Sequence, residues 1–380
     1  MPSNEGLNRG LEGVPIAETR LSRIDGEAGE LLIAGFPVDE LAVNASFEET
    51  VFLLLPDRLP TASELDDLRS ALIDRRAITD EVRAVLERAA REDKPAMDAL
   101  RMGIATATLG TDETDHRETA YRFVAVAPTI VATYWRYRQG QDPLQPRDDL
   151  HHAANYRYLL TGDEPTDAAV RGLETYLNTV ADHGLNASTF AARVVVSTES
   201  DLVSGATAAV GTLKGPLHGG APGPVLDMLH EVHESGDAEI YVRTRLEAGE
   251  RLMGFGHRVY RVGDPRAVVL EAAAERFYEA DGDLGFFQTV REFESVAVHL
   301  LEEHKPDRRL ETNVEFYTAT LLDGIGIPKA LFTPTFAVSR MAGWVAHGIE
   351  QLENNRLIRP RAEYIGETGE TWTAVENRPE

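Results

Sequence analysis

Apolar residues recur along most of the chain at three- and four-residue intervals, the spacing that places them on one face of an α-helix. Leu65, Leu68 and Leu72 follow Thr61-Ala-Ser-Glu64, which has the form of a capping box. Thr166 opens a second stripe through Val170, Leu173, Tyr176 and Leu177, and Phe286, Val290, Phe293, Ala297 and Leu300 form a third. The uncharged stretch from Phe123 to Trp135 contains Pro128 and falls short of the ~18–20 residues that span a bilayer, so it reads as a buried core helix. Alternating patterns are rare. Leu31-Leu-Ile33 and Val194-Val-Val196 are the best strand candidates, and neither lies in a βαβ rhythm. The predicted class is all-α, mainly helical, with a small strand content near the N-terminus.

Two breaks interrupt the helical pattern, Gly215-Pro-Leu-His-Gly-Gly-Ala-Pro-Gly-Pro224 and Gly324-Ile-Gly-Ile-Pro328. The segment between them, 221–321, is long enough for a small inserted domain, which leaves 1–220 and 322–380 as a large one. From Gly366 onward the sequence is acidic and lacks apolar periodicity, the pattern of a frayed tail.

Composition narrows the chemistry. With 380 residues and 43% hydrophobic content the chain can bury a sizeable core without staples, and the absence of cysteine excludes disulfides, a thiol nucleophile and thiolate metal sites. Acidic residues outnumber basic ones 63 to 38, a net charge of −25 that disfavours nucleic acid and anionic membranes as partners. Only Lys94, Lys214, Lys305 and Lys329 are lysines, and the remaining cations are arginine. Dense carboxylates with scarce lysine suit a halophilic protein, whose self-repulsion salt screens over about 3 Å at 1 M. The N-terminal residues lack a signal-peptide pattern, so a cytoplasmic location is expected. An anionic substrate would need a local arginine pocket inside this negative shell.

Several motifs carry little. Gly254-Phe-Gly256 resembles the start of a dinucleotide fingerprint, but Val259 stands where the third glycine belongs. His230 and His233 are spaced i, i+3, not i, i+4 as in a zincin, and read as a solvated helix face, so no metal is expected. His151-His152 reads as a capping or loop pair. Three glycine-flanked histidines remain, in Asp182-His183-Gly-Leu-Asn186, Gly215-Pro-Leu-His218-Gly-Gly220 and Gly254-Phe-Gly-His257-Arg-Val-Tyr260. Asp264-Pro-Arg266, Asn313-Val-Glu315-Phe-Tyr317, Ser339-Arg340 and Arg359-Pro-Arg361 follow. Singly, each histidine is as readily a hydrogen-bonded structural residue. Together, three histidines, a carboxylate and several arginines are the parts required for carbon-acid chemistry on a polyanion.

These segments resemble the citrate synthase family, along with Gly10-Leu-Glu-Gly-Val14, Ile24-Asp-Gly-Glu-Ala-Gly29, His152-Ala-Ala-Asn155, Leu331-Phe-Thr-Pro334 and Ser339-Arg-Met-Ala-Gly-Trp344. The resemblance implies a two-domain, all-α homodimer whose cleft binds oxaloacetate and an acyl-CoA and closes on them. It implies no permanently bound cofactor, acetyl-CoA being a co-substrate. It assigns His218 to donate to the thioester oxygen, Glu315 to take the α-proton, and His257 to polarise and protonate the ketone oxygen. It assigns His183, Arg266 and Arg340 to oxaloacetate, with Arg359 supplied by the partner subunit. Gly254, Phe255, Gly256 and Arg261 match the coenzyme A loop.

Departures from the family pattern are Glu315 in place of aspartate, Pro222 in place of asparagine, and Val180 and Thr312 in two scaffold positions. Of these, Glu315 alone touches the chemistry. The expected activity is condensation of acetyl-CoA with oxaloacetate to citrate and CoA. The alternatives are a 2-methylcitrate synthase using propionyl-CoA, and a non-catalytic paralog that binds oxaloacetate or CoA.

Overall fold

The computed structural model describes residues 8–11, 13–110, 115–219, 222–256, 260, 262–306 and 310–378. Three short antiparallel strands, β1 (Ser22–Asp25), β2 (Glu30–Ile33) and β3 (Phe36–Pro37), lie in the order β1-β2-β3, with Arg23 opposite Leu32. Among the described residues, everything after them is helical or irregular apart from one isolated bridge between Phe255 and Thr312. The first group runs α1 (Val38–Asn44), α2 (Phe47–Leu54), α3 (Ala62–Ile73), α4 (Asp80–Arg91), α5 (Ala96–Thr106) and α6 (His116–Arg138). Then follow α7 (His152–Thr161), α8 (Asp167–Val180), α9 (Ala187–Val196), α10 (Leu202–Leu213) and α11 (Pro216–Gly219). A second group comprises α12 (Pro222–Ser235), α13 (Ala238–Glu247), α14 (Pro265–Ala280), α15 (Leu284–His304) and α16 (Val314–Gly324), before α17 (Phe332–Glu353).

Local chemistry explains where these helices start. Ser46 with Glu49, and Thr61 with Glu64, form complete capping boxes, so the first-turn amides of α2 and α3 find partners without water. Thr166 caps α8, as its stripe predicted. Pro128 sits inside α6, yet the helix continues through it because residues 123 to 134 are buried on every side. The predicted strand at Val194-Val-Val196 is instead the last turn of α9. Asn186 caps that helix, and Ser188, Ala192 and Val196, at i, i+4 and i+8, form a buried face that only a helix makes continuous. The Gly215–Pro224 break is likewise partly helical, containing all of α11 and the start of α12.

Helix α17 is the axis of the core. It packs on α6, α8, α9 and α10, and its residues from Ala337 to Gly348 are all buried. Helices α12 to α16 pack mainly on one another, touching the first group through α14 on α8 and α1 and through α12 on α17. Among the described residues no helix is long and apolar enough to cross a membrane. After α17 the chain runs over the surface, with Tyr364, Ile365, Trp372 and Val375 exposed and one 3₁₀ turn at Val375–Asn377.

Candidate active site

The N-terminal ends of α9, α14 and α16 meet beside the middle of α17, and each brings chemistry. At α14, Asp264 caps the helix by accepting from the Arg266 amide at 3.0 Å. The same carboxylate grips the Arg266 side chain, accepting from Nε at 3.0 Å and Nη2 at 2.9 Å. Its Oδ2 also accepts from the Val314 amide at 3.2 Å, so a single buried aspartate locks the start of α14 to the start of α16. Glu315, the next residue, therefore stands within the field of Arg266 and Asp264.

Glu315 is half-buried by surface exposure but densely surrounded by protein. Desolvation pushes its carboxyl up to about 7; Asp264 adds to the rise and Arg266 opposes it. A carboxyl near 7 can accept a proton at neutral pH and still hold it well enough to drive the transfer.

Arg340 projects from α17 into this space and is 1% exposed. Its Nε donates to the Val180 carbonyl at 2.7 Å, and its guanidinium lies 4.5 Å over the Phe336 ring. Its Nη2 is buried without a hydrogen-bond partner among the described residues. Burial drives its pKa down to about 10; Asp182 works against the fall and Arg266 adds to it. Two guanidiniums that repel one another are a setting that a substrate carboxylate would stabilise.

His183 lies in the loop between α8 and α9, its Nε2 3.0 Å from the Tyr260 hydroxyl. Tyr260 in turn lies beneath Arg266, 5.9 Å from guanidinium to ring centroid. The loop approaches α17 closely because position 343 is glycine. A Cβ there would fall 2.4 Å from the Ala181 carbonyl and 2.7 Å from Asp182 Oδ1.

His218, in α11, places Nε2 2.9 Å from the Ser188 hydroxyl. Burial, and then the charge of Arg340, pull its pKa down to about 4, so the ring is neutral at physiological pH. Ser188 Oγ also accepts from Trp344 Nε1 at 3.1 Å and donates to Asn186 Oδ1 at 2.7 Å. With its one hydrogen given to Asn186, the Ser188 hydroxyl accepts from His218, which places the proton of the neutral imidazole on Nε2.

The loop Gly254-Phe-Gly256 is pinned to the strand-like residues before α16. Gly256 N donates to the Glu311 carbonyl at 2.7 Å, Asn313 N to the Gly254 carbonyl at 2.9 Å, and Asn313 Nδ2 to the Gly256 carbonyl at 2.8 Å. Both glycines have left-handed φ, +87° and +77°, which side chains resist, while Phe255 between them is buried against Phe293 and Phe316. The proposed coenzyme loop and the carboxylate Glu315 thus share one backbone frame.

Of the residues singled out from the sequence, His183, His218, Arg266, Glu315 and Arg340 converge, with Gly254 to Gly256 alongside. His257 and Arg261 lie outside the described residues. Arg359 does not join the cluster. It is exposed, and the preceding Ile358 donates its amide to Ser197 Oγ at the far end of α9. That end is nine residues from Ser188, roughly 14 Å along a helix. His151 and His152 sit at the start of α7, where the His152 ring is buried against Phe47, 4.9 Å between centroids. His230 stacks on Phe286 at 5.1 Å and pairs with Asp323 at 3.4 Å, and His233 lies 2.9 Å from the Thr289 hydroxyl. Among the described residues no cluster of three or more ligating side chains could hold a metal.

A family profile described as "Citrate synthase, C-terminal domain" matches residues 10–361. The chain belongs to the citrate synthase family. It is 44% identical to a citrate synthase from Haloferax volcanii, over 98% of this chain and 99% of that one. It is 36% identical to a 2-methylcitrate synthase from Shewanella oneidensis, over 97% of each. The fold superposes with a TM-score of 0.87, at 30% identity, on citrate synthase of Thermoplasma acidophilum solved as a ternary complex with carboxymethyl coenzyme A and oxaloacetate, covering 98% of this chain and 99% of that one.

Beyond these residues, the structure adds Asp264, Tyr260, Ser188, Trp344 and Asp182 to the citrate synthase site. All but Ser188 lay inside a quoted motif, but nothing in residue type alone separates a cap from a counter-ion. Ser188, two residues past the quoted Asn186, faces His218, and Asn186 itself caps α9. Tyr176, counted only as part of a helical stripe, is fully buried, its hydroxyl without a hydrogen-bond partner among the described residues and within the fields of Glu315, Arg340 and Arg266.

Proposed function

We propose that this protein condenses acetyl-CoA with oxaloacetate to give citrate and CoA. The observation that carries the reading is a neutral imidazole, His218, within the field of the buried Arg340, together with a carboxyl poised near 7, Glu315, within the field of the buried Arg266. A thioester α-proton is too weakly acidic for a carboxylate alone, so the enolate oxygen must be stabilised as the proton leaves. His218, a neutral imidazole able to donate an N–H, supplies that stabilisation while Glu315 takes the proton. The enolate carbon then attacks the ketone carbon of oxaloacetate, and His257 gives a proton to the resulting alkoxide. Water cleaves the citryl thioester, releasing CoA. Arg266 and Arg340 hold the oxaloacetate carboxylates, since planar forks match carboxylates as lysine cannot, and His183 orients the ketone. Gly254 to Gly256 and Arg261 hold coenzyme A. Helices α12 to α16, spanning the 221–321 block, act as the mobile side of the cleft.

Because the Ser188 hydroxyl holds the His218 ring through Nε2, Ser188→Ala should lower kcat about fivefold, the worth of a ~1 kcal/mol hydrogen bond, and leave oxaloacetate binding intact. Steady-state kinetics with both substrates would check this.

Arg359 is assigned to the partner's site in a homodimer, consistent with its position at the far end of α9 from its own His218. Arg359→Ala alone should weaken oxaloacetate binding by about 2–5 kcal/mol. Mixed by subunit exchange with inactive His218→Ala, it should recover about a quarter of wild-type activity, since half the dimers are mixed and each regains one complete site. No recovery would place Arg359 outside the partner's site.

The 2-methylcitrate reading differs only in the acyl group. The higher identity to a citrate synthase than to a 2-methylcitrate synthase favours acetyl-CoA.

A further inference from the structure

Behind the oxaloacetate cluster lies a second, fully buried polar chain that the mechanism does not use. Asp182, preceding His183, is 0% exposed, and so is His347 on α17. Ser22 Oγ donates to Asp182 Oδ2 at 2.6 Å, and the Gly184 amide donates to Ser22 Oγ at 2.7 Å. His347 Nε2 sits 3.2 Å from Asp182 Oδ1 and 3.3 Å from Oδ2. On its other side, His347 Nδ1 is 3.0 Å from Arg193 Nη1.

This geometry fixes the imidazole. A guanidinium can only donate, so Nδ1 must be the accepting nitrogen, and the ring proton is left on Nε2, facing Asp182. His347 therefore donates to Asp182 through Nε2 and accepts from Arg193 at Nδ1. Asp182 stays ionised: burial pushes its pKa up, but His347, Arg340 and Ser22 together hold it below the usual carboxylate range. Its charge is what opposes the depression of Arg340.

Arg193 does more than orient the ring. It is 3% exposed, and its Nη1 donates to Glu350 Oε2 at 2.6 Å and its Nε to Gln351 Oε1 at 2.9 Å. Gln351 Nε2 donates to Asn355 Oδ1 at 3.0 Å and to the Arg356 carbonyl at 3.4 Å, the root of the segment that carries Arg359. Glu350 Oε1 accepts from the Arg20 amide at 2.9 Å, just ahead of Ser22. The chain closes on itself around the His183 loop.

We propose that His347 is a positioning residue for oxaloacetate binding: by donating from Nε2 it holds Asp182 as the ionised counter-charge of Arg340 and fixes the loop bearing His183. Arg193 sets its tautomer and ties the pair to the root of the Arg359 segment. The proposal rests on the oxaloacetate reading of the site. It separates His347 from the groups that touch substrate, and it predicts an effect on one substrate only.

The test uses the full-length protein and its His347→Leu, His347→Gln and Arg193→Gln variants, with calorimetric oxaloacetate binding and steady-state kinetics. Loss of the donor in His347→Leu is expected to raise the oxaloacetate Kd and KM at least tenfold, while the acetyl-CoA KM at saturating oxaloacetate stays within twofold. His347→Gln, which keeps a donor near the Nε2 position, should recover most of the affinity. Arg193→Gln leaves the ring free to change tautomer and should weaken oxaloacetate binding in the same direction, which keeps the question open to decision if the leucine variant does not fold. Wild-type oxaloacetate affinity in His347→Leu or Arg193→Gln, or equal loss for both substrates, would overturn the inference. Oxaloacetate binding by the wild type without condensation would count against the proposed reaction and leave this inference standing.

Discussion

Glu315→Gln is expected to reduce citrate formation by about 10²–10⁴-fold while oxaloacetate still binds, because an amide has the shape of the carboxyl but cannot accept the α-proton. The same residue sets the expected pH dependence. Burial lifts its pKa to about 7, so the proton-accepting form is lost as pH falls through that value. The kcat/KM for acetyl-CoA should therefore rise with pH along one limb centred near 7 and level off above it. His218, with its pKa near 4, is neutral throughout and adds no limb in that window. Glu315→Asp tests the fit of the longer side chain. Its carboxylate is drawn back by about one bond toward the α16 backbone, and a displacement of ~1 Å can cost on the order of 100-fold in rate. Activity should fall, since Asn313 and Asp264 fix the start of α16 and it cannot slide forward to compensate. Substantial turnover by Glu315→Gln would mean that another residue is the base.

Arg340→Met should collapse oxaloacetate binding. The methionine stem keeps the contact with Phe336, so what disappears is the charge, the Nε bond to Val180 and the Nη2 donor. Truncating one partner of a buried charge pair costs about 2–5 kcal/mol, or roughly 30- to 5,000-fold in Kd. Stability should fall as well, because the buried, ionised Asp182 loses the charge that Arg340 sets against it, and an uncompensated buried charge costs about 3–5 kcal/mol. Calorimetric oxaloacetate binding and thermal unfolding, measured on one preparation, separate the two effects. Unchanged affinity would remove Arg340 from the substrate site.

Much of this was legible in the sequence because it is written in local codes. Helical stripes such as Leu65, Leu68 and Leu72, and caps such as Thr61 with Glu64, are short-range features, and the structure reproduces them. The Val194-Val-Val196 expectation failed because β-branched residues favour strands only when a partner strand exists, and here the Asn186 cap had already committed the chain to helix. Histidines beside glycines were visible as site candidates. Their partners were not. Ser188 opposite His218, Tyr260 opposite His183 and Asp264 opposite Val314 are pairings whose distances exist only after separate segments meet. The His347–Asp182 contact, 165 residues apart in the chain, carried no sequence signal at all.

The most direct test of the account is to incubate the purified protein with oxaloacetate and acetyl-CoA, at low and at molar KCl, and follow thiol release together with citrate formation. The account predicts one citrate per CoA released, no release when oxaloacetate is omitted, and slower turnover with propionyl-CoA. Absence of citrate in every condition, or thiol release that does not depend on oxaloacetate, would contradict it.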